Sequence, residues 1–541
     1  DGTYTATLTN SDIYGGNDAS DVTDNTLNVN AKNVAVKSVN NFENYNFKLN
    51  SSIGDGDTML TLGTGGFGRT TDWNKFKVNI EGLPGGQGQP NRTIAVLKTG
   101  TANALQFSNY AARTLITDPN SDFESALRTD TGMAAATSVL LDYNRFRNNE
   151  WTYDGTTPAT GDKVYGGYSS LGHTTTNNKL TVTNTNNTSL DVYGGYTAGA
   201  GDSTNNTVTI AGTSRVKQAY GGYATAANGR AEGNTVNIET GGYVDNTVYG
   251  GWAKGSVVHN IVNIEGQTDF SVFGGRLAGS GTAERNEIHL KNAAVSGMVI
   301  GAQGNDDASV TKNIVTLENS TVGTGGNVRH VFGGYSRGAN GKADGNEVTV
   351  TNTSVTGQIN GGLVLGDGSA SSNKVTIAGT STIKGDVYGA HANAQTGYAT
   401  TNGTLEKNEV IISGGTMEKE VYGALSFGKG TARENRVTIS GGTLQKAVYG
   451  GMAYDAGTAK DNHIVISGGI FQGNVIGGAS DGTNAVTGNT ITISGGTFSG
   501  DIKGGLSWGG GKTKGNTVTL GADDGTYTAT LTNSDIYGGN D

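Results

Sequence analysis

Residues Asn489–Gly505 read NTITISGGTFSGDIKGG, and variants of this phrase recur over most of the chain. In each variant an Asn stands two residues before an apolar residue, and one polar residue separates that position from a second apolar residue. The pattern begins at Asn178, Asn206, Asn234, Asn260, Asn286, Asn313, Asn346, Asn373, Asn408, Asn435, Asn462, Asn489 and Asn516, with a period of about 27 residues. A fixed period of this length predicts a repeat architecture built from one supersecondary unit.

A second marker keeps step with the first. It is an aromatic residue followed by two small residues, as in Val248-Tyr249-Gly250-Gly251. The tyrosines at this corner are Tyr165, Tyr193, Tyr220, Tyr249, Tyr388, Tyr422 and Tyr449. Two markers that stay in phase over so many units indicate one repeated structure.

Each unit has the pattern of short strands and glycine turns. Alternation such as Val208-Thr209-Ile210 places two apolar side chains on one face of a strand. One unit cannot bury that face alone, but stacked units can, because each strand pairs with its copy about 4.8 Å above and below. The sequence therefore predicts an all-β fold, a parallel β-helix (β-solenoid) with three short strands per coil. We expect these side chains to point inward: Val208, Ile210, Val236, Ile238, Val437, Ile439, Ile491 and Ile493.

The markers also divide the chain. Residues 1–33 hold one corner and one Asn-led strand that begins at Asn25, which predicts the start of the solenoid. Residues 34–163 contain all four prolines and no Tyr-Gly-Gly corner, so we expect an irregular β-rich insertion or flank module there. Within it, Asp122–Arg147 fits either a short helix or a pair of strands. Residues 164–541 return to the regular array.

Composition argues against several classes of protein. The chain has no cysteine, a net charge of −10 and six scattered histidines. A disulfide framework is therefore excluded, and neither nucleic acid nor an anionic membrane surface is an expected partner. No run of about 18 apolar residues predicts membrane insertion. The first residues do not resemble a signal peptide, so we expect any export and anchoring parts to lie outside this chain.

The first 18 residues occur twice. Residues 524–541 read DGTYTATLTNSDIYGGND, which is identical to residues 1–18, at an offset of 523 residues. The copy joins the array in phase, because an Asn-led strand at Asn516 precedes it and a corner at Ile536-Tyr537-Gly538-Gly539 lies within it. The chain is therefore expected to be one period of a longer object, formed by tandem copies or by subunits that meet end to end.

A resemblance to a known family rests on three features of the sequence. They are the Asn-led strands that end in Ser-Gly-Gly-Thr, the Val-Tyr-Gly-Gly corners, and the stretch from Asn44-Tyr45-Asn46-Phe47 to Asp57-Thr58-Met59-Leu60-Thr61. They are similar to the glycine-rich repeats in the passenger regions of large bacterial autotransporter-type surface proteins. The resemblance implies a right-handed β-helix on the bacterial cell surface, used in adhesion or as a stalk. Such proteins end with a membrane-barrel segment, which this chain does not show.

We therefore expect a structural building block of an extracellular bacterial surface fibre, with copies of itself as the main partner. An alternative is a monomeric autotransporter-type adhesin passenger that binds a host or neighbouring-cell glycan or protein. A third hypothesis is a β-helix enzyme that acts on polysaccharides. That enzyme would need carboxylates or histidines gathered on neighbouring coils, and the sequence shows no such spacing. We accordingly predict no enzyme activity, no metal and no cofactor.

Two columns of residues are the candidate sites. Stacked amides hydrogen-bond to their copies in other β-stacks, so the asparagine column is interpreted as structural: Asn178, Asn206, Asn234, Asn260, Asn286, Asn435, Asn462, Asn489 and Asn516. The tyrosine column could stabilise a sheet face, or its rings could stack on sugar rings. The proline-containing segment 34–163 is where we expect any lateral contact, ligand or joint, since irregular segments on a rigid scaffold often carry function. The alternative is a cap-like decoration that has no partner.

Overall fold

The computed structural model describes residues 8–18, 23–67, 70–81, 92–100, 105–116, 121–132, 136–156, 159, 161–324, 328–393 and 403–540. The chain divides into two compact units. Unit 1 comprises Asp1–Thr152 with Tyr165–Lys179, and unit 2 comprises Tyr153–Val164 with Leu180–Asp541. Four strands lie at the boundary, namely Glu150–Tyr153, Lys163–Ser169, Thr175–Thr176 and Lys179–Val182.

Unit 1 contains both parallel and antiparallel pairing. Its largest sheet runs, in spatial order, Leu8–Tyr14, Val34–Asn40, Thr58–Phe67, Arg92–Thr99, Ser138–Arg145, Phe123–Thr129 and Thr114–Ile116. The first four strands are parallel to one another, and the last three join by antiparallel pairings. The ambiguous stretch Asp122–Arg147 thus forms a pair of strands. The predicted boundaries at residues 33 and 163 stay predictions, although parallel stacking continues beyond residue 33.

Two smaller sheets and an aromatic cluster complete unit 1. The parallel strands Thr26–Val29, Asn44–Leu49 and Phe76–Ile80 form one sheet, and Thr71–Asp72 pairs with Phe107–Ser108 in the other, beside a 3-10 turn at Trp73–Lys75. Phe76 stacks on Tyr45 with ring centroids 4.9 Å apart. Trp73 meets Phe107 edge to face at 5.1 Å. These buried rings make the core of unit 1 more aromatic than the aliphatic strands of the array.

Unit 2 is a stack of coils whose equivalent strands pair in parallel, so the predicted β-solenoid is confirmed. The Asn-led strands form one sheet: Thr207–Ile210, Thr235–Ile238, Ile261–Ile264, Glu287–Lys291, Ile314–Glu318, Glu347–Thr351, Lys374–Ala378, Glu409–Ile412, Arg436–Ile439, His463–Ile466, Thr490–Ile493 and Thr517–Leu520. Their register is unbroken, as in Val437↔Ile464 and Ile464↔Ile491. The eight side chains predicted to point inward are all buried.

A second sheet holds the corner strands, each preceded in most coils by a two-residue strand. It comprises Asn186–Thr197, Arg215–Ala224, Tyr243–Val244, Val248–Ala253, Gln267–Thr268, Val272–Leu277, Ala294–Val295, Val299–Gly304, Thr321–Val322, Val331–Ser336, Ser354–Val355, Ile359–Leu365, Thr382–Ile383, Val387–Asn393, Thr416–Met417, Val421–Ser426, Thr443–Leu444, Val448–Ala453, Ile470–Phe471, Val475–Ser480, Thr497–Phe498, Ile502–Ser507, Thr530–Leu531 and Ile536–Tyr537.

Short strands just before the asparagines of the Asn-led pattern build the remaining face of the coil. One group is Ser203–Thr204, Arg230–Glu232, Ser256–Val258, Thr282–Glu284, Ser309–Thr311 and Lys342–Asp344, and the other is Ala370–Ser371, Thr404–Glu406, Thr431–Arg433, Thr458–Lys460, Val486–Thr487 and Thr513–Lys514. A typical coil therefore has four strands rather than the expected three. The additional strand lies in the polar stretch before the asparagine, as at Thr431–Arg433, where pairing with the copies in adjacent coils makes a strand of residues that lack apolar alternation.

Candidate functional site

Buried asparagine amides form a continuous hydrogen-bonded ladder through unit 2. The Nδ2 of Asn435 donates to Oδ1 of Asn462 at 2.9 Å, and the same Oδ1 accepts the Asn435 backbone N–H at 3.1 Å. Nδ2 also donates to the Leu405 carbonyl at 3.1 Å, three residues before the preceding ladder member, Asn408. We call this series the amide ladder. It runs through Asn206, Asn234, Asn260, Asn286, Asn313, Asn346, Asn373, Asn408, Asn435, Asn462, Asn489 and Asn516.

Unit 1 contains two members of the same kind, one of which the sequence analysis missed. The Asn149 backbone N–H donates to Oδ1 of Asn178 at 3.1 Å, and Asn178 Nδ2 donates to the Phe146 carbonyl at 3.0 Å. Asn149 stands two residues before Trp151-Thr152-Tyr153, an apolar-polar-apolar triplet with aromatic members. The signal was therefore present, but the aromatic residues concealed it.

The residue before each ladder asparagine adopts a left-handed backbone conformation. Asn205 has φ 54°, His259 φ 53° and Glu434 φ 55°, while Gly345 and Gly488 take the same conformation without a side chain. This conformation turns the chain so that the next amide points into the stack. A residue with a Cβ atom is disfavoured in this conformation by roughly 1–2 kcal/mol. Because many residue types occur at this position, no sequence pattern predicts the conformation.

The two sequence markers, the asparagine and the Gly-Gly corner, contact each other in the structure. A Cβ atom at Gly451, the second corner glycine, would overlap the Asn462 amide, and the same clash would occur between Gly478 and Asn489. A Cβ atom at the first corner glycine, Gly450, would overlap a backbone carbonyl of the next coil. The ladder asparagine and the Gly-Gly corner keep step because the amide lies against the glycine backbone.

The predicted tyrosine column is largely buried. Tyr193 stacks on Tyr220 at 4.7 Å between ring centroids, and Tyr422 stacks on Tyr449 at 4.9 Å, with near-parallel ring planes in both pairs. Tyr249 continues the first stack, Tyr388 continues the second, and Tyr165 lies buried in unit 1 against Tyr168 at 5.0 Å. Because the ring faces cover one another, a sugar ring would meet mainly their edges. A role in glycan binding stays a prediction.

Burial also changes the acidity of this column. It raises the pKa of Tyr449 to about 12 and raises the pKa of Tyr220 and Tyr422 still further. The side chain of His391, three residues after Tyr388 on the same corner strand, stacks on the Tyr388 ring at 4.5 Å between ring centroids. Burial lowers the pKa of His391 to about 4, and neither ring nitrogen has a hydrogen-bond partner among the described residues. These groups remain neutral near pH 7 and do not form an acid–base pair.

Unit 1 has a groove between its three-stranded sheet and the strand Thr114–Ile116. Its volume is about 680 Å³, and its lining includes Asn46, Lys48, Lys77 and the half-exposed Leu115. Asn46 Nδ2 donates to Asn28 Oδ1 at 3.0 Å along the floor. The groove lies mostly in segment 34–163 and combines cationic, amide and apolar groups, but the described residues do not identify a ligand.

The repeated 18-residue segment pairs on one side in each of its copies. In the C-terminal copy, Ile536 pairs with Ile502 and Leu531 pairs with Phe498, the preceding coil in both cases. In the N-terminal copy, the equivalent residues Ile13 and Leu8 pair with Val39 and Val36 of the following coil. The first seven residues and Asp541 lie outside the described residues. The described strand of the N-terminal copy thus pairs with a following coil, and those of the C-terminal copy pair with a preceding coil.

The last coils of unit 2 leave part of the core exposed. Leu520 is 50% exposed, whereas Ile493, its partner in the coil before, is fully buried. Val518 is half-buried, and its partner Ile491 is fully buried. Asn516 accepts hydrogen bonds from Asn489 and donates to the Val486 carbonyl, but no described residue supplies a following Oδ1. Among the described residues, the strand Thr517–Leu520 is therefore the open edge of its sheet.

No group of three or more His, Cys, Asp or Glu side chains is placed to hold a metal ion within the described residues. Among the same residues, no helix is long and apolar enough to cross a lipid bilayer. The described residues place a one-sided strand edge at each copy of the repeated segment. No family model matches the chain, and no curated protein or solved structure matches it either.

Proposed function

We propose that this chain is a structural unit of an extracellular bacterial surface fibre in which β-solenoid units follow one another end to end or in tandem. The observation that carries the proposal is the one-sided pairing of the repeated segment. Superposing the two copies would place Ile13, equivalent to Ile536, between Ile502 and Val39. Leu8, equivalent to Leu531, would lie between Phe498 and Val36.

Both flanking positions are apolar and buried in their own units, so the shared coil would have a core residue on either side. Burying an apolar side chain stabilises by roughly 1.5–3 kcal/mol, and each coil also gains hydrogen bonds along both edges. An exposed strand edge that matches another strand favours association. The bacterial and extracellular parts of the proposal rest on the resemblance to autotransporter passenger repeats, with the absence of cysteine as a compatible feature.

Electron microscopy of a tandem chain tests this proposal. The chain would consist of residues 1–541 followed by residues 19–541, so that the repeated segment occurs once at the junction. We expect unbroken rods with about twice the length of the single-unit particle, because solenoid length grows with the number of coils. Two rods joined at variable angles would contradict the proposal.

The groove in unit 1 favours a second candidate function, a passenger-type adhesin that works as a single unit. Its lysines and amides suit an acidic or hydroxyl-rich ligand such as a surface glycan. Replacing Lys48 and Lys77 by Ala should then abolish binding to glycans on cells while rod length stays unchanged. That outcome would support an adhesive surface on the unit, and unchanged binding would remove the groove as its site.

A further inference from the structure

The open edge of unit 2 has a specific partner in the sequence. We propose that the strand Thr517–Leu520 pairs in parallel with Thr26–Val29 of the following copy, in the register that places Asn25 next to Asn516. This inference rests on the proposed function, since it needs a second copy beyond the repeated segment. It adds the contact that joins the copies and the residues that determine their register.

The backbone at Asn25 has the geometry of a ladder position. Asp24, which precedes it, has φ 62°, and Gly515, which precedes Asn516, has φ 67°. The Asn25 carbonyl accepts the backbone N–H of Asn44 at 3.0 Å, just as the Asn489 carbonyl accepts that of Thr517 at 2.8 Å. Asn25 is therefore presented to its following coil as a ladder asparagine is presented.

The amides at the two edges are complementary. Each earlier ladder member in unit 2 donates its backbone N–H and its Nδ2 to the Oδ1 of the next member, as Asn489 does to Asn516 at 3.0 and 2.9 Å. Asn516 has no such acceptor among the described residues. The Asn25 side chain makes no hydrogen bond to a described residue, so its Oδ1 is the acceptor that the following copy would bring.

The apolar side chains match in the same register. With Asn25 beside Asn516, Leu27 lies over Val518 and Val29 lies over Leu520. Leu27 and Val518 are half-buried, and Leu520 is half-exposed. A parallel partner would cover them, as Val518 and Leu520 themselves cover Ile491 and Ile493. The outward residues Thr519 and Asn28 would then become neighbours.

The connecting length agrees with this register. Asn25 of a following copy comes 32 residues after Asn516, because the copies are offset by 523 residues. Neighbouring ladder members within the chain are separated by as few as 26 and as many as 35 residues. The junction coil is therefore of ordinary size, and it needs no change in the path of the chain.

Disulfide trapping in the tandem chain tests the register, since the chain has no cysteine of its own. Paired residues on adjacent strands lie about 4.8 Å apart, within the range of Cα distances that a disulfide spans. We would place T519C in the first copy and N28C in the second. The expected result under mild oxidation is the loss of both free thiols and one cross-linked peptide in the mass spectrum.

Two matched pairs serve as controls. T492C with T519C in the same copy joins strands that already pair in this register, and it must cross-link. T519C with T26C of the second copy is displaced by two residues, beyond the disulfide range, and should keep its thiols. If the rods are unbroken and of double length but T26C cross-links in preference to N28C, or neither cross-links, the proposed register is wrong while the proposed function stands. Rods joined at variable angles would instead overturn the proposed function.

Discussion

Replacing Asn435 by Ala should open the stack locally, because this side chain makes four hydrogen bonds inside it. Its Nδ2 donates to the Leu405 carbonyl and to Asn462 Oδ1, at 3.1 and 2.9 Å. Its Oδ1 accepts the backbone N–H and the Nδ2 of Asn408, at 3.1 and 2.9 Å. The side chain is fully buried, so water cannot replace these partners without opening the coil.

The expected cost follows from the groups left behind. A hydrogen bond contributes about 0.5–1.5 kcal/mol net, and a buried donor without a partner costs about 1–3 kcal/mol. Asn435→Ala removes four bonds and leaves the Asn408 backbone N–H without its acceptor. We expect a loss of about 3–5 kcal/mol in the free energy of local opening. In a stacked array that loss is confined mainly to the altered coil and its neighbours.

Hydrogen exchange followed by mass spectrometry measures this free energy coil by coil. Amides in Glu409–Ile412 and Arg436–Ile439 should exchange on the order of 10²- to 10⁴-fold faster in the variant. Asn263→Ala is the matched control, since that amide is half-buried on an outward face and donates one bond to Asn237 at 2.9 Å. It should change exchange by less than about tenfold. Equal exchange rates in the two variants would refute a stabilising role for the amide ladder.

Three further predictions concern single positions. Gly450→Ala should lower the urea midpoint by the equivalent of about 1–3 kcal/mol, because the added Cβ would overlap a backbone carbonyl. Gly451→Ala should cost less than about 1.5 kcal/mol, since Ala424 holds the equivalent position one coil earlier. Equal losses would contradict this account of the corner. Ser372→Gly should stabilise by about 1 kcal/mol in the same assay, since exposed Ser372 has φ 56°, and Gly345→Ser should destabilise by a similar amount. Burial lowers the pKa of His391 to about 4, so below about pH 6.5 the imidazole is protonated in the unfolded chain but stays neutral in the folded chain. Stability should therefore fall by up to about 3 kcal/mol between pH 6.5 and pH 4. His391→Leu, which matches Leu363 and Leu425 on the adjacent coils, should remove that fall, and a persisting fall would show that other groups cause it.

The repeat was sufficient to predict the stack but not its details. The Asn-led triplets predicted a parallel sheet, because apolar alternation at a fixed period leaves one way to bury every copy. The cause of the linked markers could not be read from the sequence, since the contact between Asn462 and Gly451 joins residues from opposite sides of a coil. The left-handed residues before the ladder were also missed, because residue types such as Lys312 and Glu434 have no preference for that conformation.

Unit 1 was harder to predict for a different reason. Apolar pairs such as Val139 and Leu141 in Asp122–Arg147 fit both a strand and a short helix, and only the antiparallel pairing of Phe123–Thr129 with Ser138–Arg145 distinguishes them. The groove depends on side chains from separate strands whose proximity no local pattern encodes. The edges of the array were partly predictable, since the duplicated 18 residues marked them. The left-handed conformation of Asp24, which gives Asn25 the geometry of a ladder position, could be seen only in the structure.

The amide ladder also has a polarity. In the bonds that join one ladder amide to another in unit 2, each amide from Asn206 to Asn489 donates to the Oδ1 of the next, higher-numbered member, so the edge at Asn516 presents ladder donors. At the opposite edge of a following copy, Asn25 would present an acceptor. Two donor edges brought face to face would leave N–H groups against N–H groups in a buried setting, which is costly. Under the proposed function, this polarity favours head-to-tail contact between copies, and a filament built in that way would have two chemically different tips.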